Sequence, residues 1–281
     1  MRMSAQSGSQ PLVAFEACRS DLTALAYRML GDFGRAQDIV QDVWLRWQAH
    51  DGDVQSARAF LITVVTRLCL NELDSARARR EESRSDRLPE PVDLEAGGMS
   101  KLERLEQISM AFLVMLQRLN PAERAVLLLH DVFEFEHREI AELVGSTPAA
   151  CRKQLERARK SVASERRMLQ PAREEHGRLL QAFVRAALSG DTQAIVGMLA
   201  GDATMITDGG PAGRALAGVR NLRRPLHGAE RIAAFVVATS RRGRDQLQVE
   251  QRELNGQPAV VFRLAGIYGP GRNSIEDLRD G

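Results

Sequence analysis

The chain carries almost no surplus of charge: 39 Lys and Arg stand against 37 Asp and Glu, a net of +2. Any attraction to nucleic acid must therefore come from local patches. Only three cysteines occur, Cys18, Cys69 and Cys151. They have no metal or redox spacing and fall in helical patterns, which excludes a disulfide scaffold and implies packed small hydrophobes in a reducing compartment. There is no run of about 18 apolar residues, so no membrane span is expected. The opening MRMSAQSGSQP lacks an apolar signal core, which points to the cytoplasm. His176, His227, Asp202 and Asp208 sit at no spacing that suggests a catalytic dyad. No cofactor, metal or enzymatic activity is expected.

What is present is a folded composition, 44% hydrophobic and 27% charged over 281 residues, long enough for two or more domains. Basic residues cluster: Ala149–Arg167 holds seven against two acidic, and Ala76–Arg87 holds five against three. Phe15, Cys18, Leu22, Leu25 and Met29 recur at helical spacing up to Gly31 and predict an amphipathic helix. A second helix puts Ala36, Ile39, Val40, Val43 and Trp47 inside. A third uses Phe60, Leu61, Val64, Val65, Leu68 and Leu73. These three form an all-α domain over 12–82, after a disordered tail over 1–11.

Residues 83–100 hold two prolines and two glycines without helical period, and read as a linker. A fourth helix uses Leu102, Leu105, Ile108, Phe112, Met115 and Leu119, and Asn120-Pro121 caps and starts a fifth with Ala125, Val126 and Leu129 inward. The segment HREIAELVGSTPAACRKQLERARKSV, His137–Val162, predicts a helix-turn-helix. Ile140, Ala141 and Val144 form the first apolar stripe, Gly145 ends it, Thr147 is the N-cap and Pro148 begins the second helix. Ala141, Gly145 and Cys151 supply small residues where the two helices touch. Cys151, Leu155 and Ala158 face inward, which leaves a basic outer face suited to a DNA major groove. This closes a second all-α domain over 101–169.

Beyond Pro171 the pattern changes. Leu179–Leu188, Ala194–Leu199 and Ala229–Ala238 read as helices, Ala203–Thr207 as a strand, and Gln246–Leu254 with Ala259–Leu264 as a hairpin around Asn255-Gly256. Residues 172–281 therefore form an α+β domain. Arg220, Arg223, Arg224, Arg241, Arg242 and Arg244 make it basic, as a solvated or interdomain face.

Three segments in order carry a resemblance. GRAQDIVQDVWLRW (Gly34–Trp47), ARAFLITVVTRLCLNELDSARARR (Ala57–Arg80) and the stretch from LNPAERAV to Val162 resemble regions 2.2, 2.3–2.4 and 4 of the extracytoplasmic-function sigma factors. Leu88-Pro89-Glu90-Pro91, the α+β tail and Asp208-Gly209-Gly210 resemble the subgroup with a fused SnoaL-like domain, a cone-shaped α+β fold. Arg87 stands where that subgroup commonly has an aromatic. After Leu264 the chain runs GIYGPGRNSIEDLRDG in place of an Asn-Pro-Asp-Lys motif.

The resemblance implies binding to core RNA polymerase, through the β′ clamp and the β flap, and to promoter DNA. The polar face of the second helix, Asp38, Gln41, Asp42 and Arg46 with Trp44 at its edge, is the expected clamp surface. Arg67, Asn71, Asp74, Arg77, Arg79 and Arg80 are expected at the −10 element, with Phe60 as core. At the −35 element Thr147, Ala149, Ala150, Arg152 and Lys153 are expected near base edges, and Arg157, Arg159 and Lys160 on phosphates. Leu88, Pro89, Glu90 and Pro91 form a rigid linker segment through which the tail is expected to bias the spacing of the two helical domains. Two alternatives stay open: a ligand-binding or cyclase-type enzyme with a helical regulatory region, and a repressor that acts without polymerase. A ligand of unknown kind in the C-terminal domain is likewise left open.

Overall fold

The computed structural model describes residues 9–78, 88–93, 109–166, 173–208, 222, 224–243 and 247–264. The chain divides into two compact units, Met1–Gln170 and Pro171–Gly281.

Among its described residues the first unit is built of helices α1 Ser9–Leu30, α2 Phe33–Gln48, α3 Ala57–Ala78, α4 Met110–Arg118, α5 Pro121–Asp131, α6 His137–Val144 and α7 Pro148–Arg166. Helix α1 begins earlier than expected, so residues 9–11, assigned above to a disordered tail, are helical. Trp47 Nε1 ties down this first turn by donating to the Pro11 carbonyl at 2.8 Å. The amphipathic stripe expected of α1 is also too narrow. Every residue from Asp21 to Met29 is buried, Thr23 and Arg28 included, because α1 packs against α2, α3, α4 and α5. Asp21 pairs with Arg58 at 3.5 Å, and Thr23 Oγ1 donates to the Arg19 carbonyl at 2.9 Å, which satisfies polar groups that would otherwise be costly to bury.

The two helical halves share one core, continuous from Phe15 to Val162. Arg124 of α5 is the polar member of the junction. Its guanidinium donates to the Met29 carbonyl at the end of α1 and to the Leu119 carbonyl at 3.2 Å. It thereby serves orphan carbonyls that a helix end leaves unpaired. Burial pushes the Arg124 pKa down to about 10, with Cys69 opposing the shift, so it keeps its charge at neutral pH.

The segment Leu88–Asp93 lies against the same junction. Glu90 N–H donates to the Gly31 carbonyl at 2.8 Å, its carboxylate accepts from Phe33 N–H at 2.9 Å, and its carbonyl accepts from the Tyr27 hydroxyl. Pro89, Val92 and Asp93 are buried. Gly31 has φ +72°, and a β-carbon there would run into the Gln117 amide, so this turn needs glycine for both conformation and space. The part of the fourth helix expected over Leu102–Ile108 lies outside the described residues. Ser109 Oγ caps α4 by accepting from Phe112 N–H at 3.2 Å.

The second unit contains α8 Arg173–Ser189, α9 Thr192–Met198, β1 Thr204–Met205, β2 Leu226–His227, α10 Ala229–Gly243, β3 Leu247–Leu254 and β4 Gln257–Leu264. Two antiparallel pairs form, β1 with β2 and β3 with β4. Strand β1 is shorter than expected, and β2 is too short to show any alternation in sequence. The hairpin turns at Asn255 (φ 52°) and Gly256 (φ 69°), both left-handed as an Asn-Gly two-residue loop requires. A small core of Ala186, Ala187, Ile195, Ala233 and Val237 joins α8, α9 and α10. The unit is α+β, as its sequence implies.

Candidate polymerase and nucleic-acid interfaces

Helix α2 starts at Asp32, whose carboxylate accepts from Arg35 N–H at 2.9 Å, a standard N-cap. Ala36, Ile39, Val40 and Val43 are buried, which fixes the opposite face outward. Asp38, Gln41, Asp42 and Arg46 are exposed there. Neither carboxylate has a partner among the described residues. Trp44 is half-buried with its ring 4.9 Å from Phe15, so it braces the face as much as it edges it. Leu45, which the sequence reading passes over, is 55% exposed. It follows Gln41 and Asp42 at four and three residues and so sits on the same face. A large apolar side chain inside a polar helical face was visible in the spacing.

Helix α3 buries Leu61, Ile62, Val65, Leu68 and Cys69 and presents Arg67, Asn71 and Asp74 outward at spacings of four and three. Glu72 pairs with Arg35 at 2.8 Å and ties α3 to α2. Phe60 is half-buried, 5.4 Å from the Trp47 ring and 4.6 Å from His50, and is a packing residue as expected. Arg77 falls within α3 with its side chain outside the description, and Arg79 and Arg80 lie outside the described residues.

Helices α6 and α7 make the helix-turn-helix. Gly145 has φ +65°, and Ser146 N–H closes back on the Ala141 carbonyl at 2.9 Å. The expectation that Gly145 supplies space between the two helices is corrected: a β-carbon there meets nothing within 4 Å. Its requirement is the left-handed backbone alone. Thr147 Oγ1 accepts from Ala150 N–H at 3.2 Å and caps α7. Cys151, Leu155, Ala158 and Val162 are buried, so Ala149, Arg152, Lys153, Arg157, Arg159 and Lys160 stand exposed, with Ala150 half-buried.

The exposed cations are not equivalent. Arg157 pairs with Glu123 at 3.1 Å, Arg159 with Asp131 at 2.5 Å and Lys160 with Glu156 at 2.7 Å. Arg152 and Lys153 have no such pair among the described residues. Burial works against the Asp131 carboxylate, but hydrogen bonds from Arg159 and His130 outweigh it and hold Asp131 below the usual carboxylate range. Solvent-exposed ion pairs contribute little to stability, so a phosphate can take over these cations at small cost. Arg152 and Lys153, at the N-terminal end of α7, are free to act first.

In the second unit His227 Nδ1 lies 3.0 Å from the Thr204 hydroxyl, a partner that forms no acid–base dyad. Asp202 and Asp208 are exposed. Gly209, Gly210, Arg220, Arg223 and Arg244 lie outside the described residues. Among the described residues no group of His, Cys, Asp or Glu could hold a metal ion, and no helix is long and apolar enough to cross a membrane.

Two exposed polar faces on a three-helix region, followed by a basic helix-turn-helix, define a sigma-70-type protein. Matches to family models agree: residues 14–79 match Sigma-70 region 2, and residues 109–162 match Sigma-70 region 4. The chain is 35% identical to the ECF RNA polymerase sigma factor SigJ of Mycobacterium tuberculosis over 268 residues, which cover 91% of this chain and 82% of that protein. It is 34% identical to the probable ECF RNA polymerase sigma factor SigI of Mycobacterium tuberculosis over 66% of each chain. The crystal structure of the Mycobacterium tuberculosis extracytoplasmic function sigma factor SigJ superposes with a TM-score of 0.67 at 31% identity, covering 89% of this chain and 83% of that one. The chain belongs to the extracytoplasmic-function sigma factors of RNA polymerase. Its function is that of a sigma factor in transcription initiation, and it is not an enzyme.

Proposed function

We propose that the chain works in the cytoplasm, docks on the β′ clamp of core polymerase through α2, reads the −10 element with the outer face of α3 and the −35 element with α7, and meets the β flap through its region 4. The observation that carries this reading is the contrast between unpaired and paired groups. Asp38 and Asp42 on α2, and Arg152 and Lys153 on α7, are exposed charges with no partner among the described residues. Charges left unpaired on a rigid helix are available to a partner without breaking anything first. Arg152 and Lys153 take base edges, while Arg157, Arg159 and Lys160 exchange their carboxylates for phosphates.

Helix α6 touches α3 in the first unit. Elements centred near −10 and −35 lie about 25 base pairs apart, roughly 85 Å at 3.4 Å per pair. Helices in contact cannot cover both, so initiation requires the two halves to separate at the Arg124 junction, and the C-terminal unit modulates that separation. The test of the polymerase surface is charge reversal. Asp38→Lys with Asp42→Lys should abolish binding of core polymerase while helicity by circular dichroism is retained. Unchanged affinity in a pull-down with purified core enzyme would exclude this face.

A further inference from the structure

The two edges of the β3–β4 hairpin differ in what they offer. The Asn255-Gly256 loop makes Leu254 and Gln257 the hydrogen-bonded pair that closes it. Hydrogen-bonded and non-hydrogen-bonded pairs alternate from there. In the pairs Glu253–Pro258, Gln251–Val260 and Val249–Phe262 the backbone N–H and C=O groups therefore point away from the hairpin. On the β4 edge Pro258 has no N–H to give, and a proline at an outward position hinders the addition of a further strand. The β3 edge, LQVEQREL, has no proline, and its register runs from Leu247 to Leu254 without a bulge. Among the described residues, Val249 and Gln251 make no backbone hydrogen bond beyond β4. Helix α8 packs on β4 and meets β3 where the Gln181 and Gln251 side-chain amides lie 3.5 Å apart.

A strand edge of this kind is a template for one more strand, and its side chains say which. Glu250 and Arg252 share the face of β3 opposite to Gln251 and pair with each other at 3.0 Å. A second copy of β3 laid antiparallel along this edge must match outward-facing residues to outward-facing residues. The two-fold axis then passes through one residue of the strand. Through Glu250 it sets Glu250 against Glu250, and through Arg252 it sets Arg252 against Arg252; like charges directly opposite are destabilising. Through Val249 it matches neither charge with an opposite one. Through Gln251 it sets Glu250 against the copy's Arg252 and Arg252 against the copy's Glu250, both at once. These two positions fall between the new backbone hydrogen bonds, where facing side chains come closest. The same register puts the copy's Glu253 opposite the exposed Val249.

We propose that the second unit self-associates by this edge, β3 pairing antiparallel with β3 of a second copy about a two-fold axis at Gln251. The product is a four-stranded sheet in the order β4-β3-β3-β4. The contact is isologous, so it closes at two copies. A single strand pairing of this length buries less than the roughly 1,000 Å² expected of a stable complex, so the dimer is weak and reversible. The two charge pairs select the register, and salt screens them.

The test is sedimentation equilibrium of the full chain at low salt, over a concentration series reaching the high micromolar range. The weight-average mass should climb from 31.1 kDa toward twice that value, and less steeply as salt is added. Glu250→Arg and Arg252→Glu each set like charges across the axis, and each should keep the single-chain mass over the whole series. Mixed in equal amounts, these two variants present opposite charges to one another and should associate. The double variant Glu250→Arg with Arg252→Glu should also associate. A wild-type chain that keeps the single-chain mass throughout overturns the proposal. So do single variants that associate as well as wild type, and a mixture that associates no better than its components. Hydrogen exchange on the wild-type chain needs no variant to fold. Raising the concentration should slow exchange at the Val249 and Gln251 amides and leave Val260 and Phe262 unchanged. Slowing confined to any other segment would assign the dimer to another surface and overturn the β3 edge.

Discussion

The two units of this chain are built on different terms. The first has large side chains with no exposure at all, among them Tyr27, Leu22, Leu61, Leu113 and Leu128, in one core shared by seven helices. The second has a described core made mostly of alanine, around Ile195 and Val237. Its hairpin leaves Val249 and Phe262, direct cross-strand partners, 41% and 48% exposed. Buried apolar area is the main source of stability, at roughly 25 cal/mol per Å². The first unit can therefore hold itself together, while the second has little to spare among its described residues. A sigma factor needs region 2 and region 4 to keep their faces intact through repeated association with polymerase, and elements that open at low cost in free energy are drawn from regions with few buried apolar contacts.

The sharpest way to break this comparison is to damage the first core with the second unit present and with it removed. Leu128→Ala removes a fully buried side chain from α5 and should cost about 2–5 kcal/mol. In a denaturant titration monitored by Trp44 and Trp47 fluorescence, the first unit's transition should move to lower denaturant. A chain ending at Gln170 should show the same shift, because the affected core lies wholly within that unit. If the shift is present in the full chain and absent in the shortened one, the two units unfold as one body and the contrast fails.

Much of the first unit was legible because its signals are local. Asn120-Pro121, Thr147-Pro148 and Gly145 cap their helices through their own side chains and backbone, and each was found at its place. Asn255-Gly256 fixed the hairpin for the same reason. The exposed polar face of α2 and the basic face of α7 could be read from spacing, since the buried stripe of each helix forces the remainder outward. What could not be read depends on partners far along the chain. Arg124 looks like one more surface cation of α5 until α1 is laid against it, 95 residues away in sequence. The burial of Arg28 and Thr23 follows from four helices surrounding α1. The pairing of Arg157 with Glu123 and of Arg159 with Asp131 spans 34 and 28 residues. Strand β2 is two residues long and has no period to detect.

The Arg124 junction sharpens the comparison within the first unit, with a smaller effect. Arg124→Met keeps the length and apolar stem of the side chain but leaves the Met29 and Leu119 carbonyls without their donor. A buried group left unsatisfied costs about 1–3 kcal/mol, and losing the cost of burying the guanidinium offsets part of that. The expected net destabilisation is about 1–3 kcal/mol, confined to the first unit's transition. Because the lost bonds join α5 to the end of α1, energy transfer between dyes on α2 and α7 should report a greater population of separated halves. A variant that melts like wild type and shows unchanged transfer would mean that the apolar contacts alone hold the halves together.

The smallest expected effect lies on the exposed rim. Asp131→Asn removes the carboxylate that Arg159 and His130 share and should change stability by less than about 1 kcal/mol, as partly exposed pairs do. The sign of its pH dependence is fixed. The Asp131 carboxyl is held below its ordinary value in the folded chain by those hydrogen bonds, against the opposing effect of burial. Its contribution is thus present above the unfolded-state carboxyl value and lost as pH falls through the folded one. The melting difference between wild type and Asp131→Asn should accordingly be visible near neutral pH and vanish in acid. At neutral pH and low salt the same substitution frees Arg159 to meet a phosphate, so affinity for an arbitrary duplex should rise by a few fold and more steeply with falling salt. A loss of duplex affinity would instead mean that Asp131 orients Arg159 toward DNA, and that the rim pairs are part of the reading surface and not a cover over it.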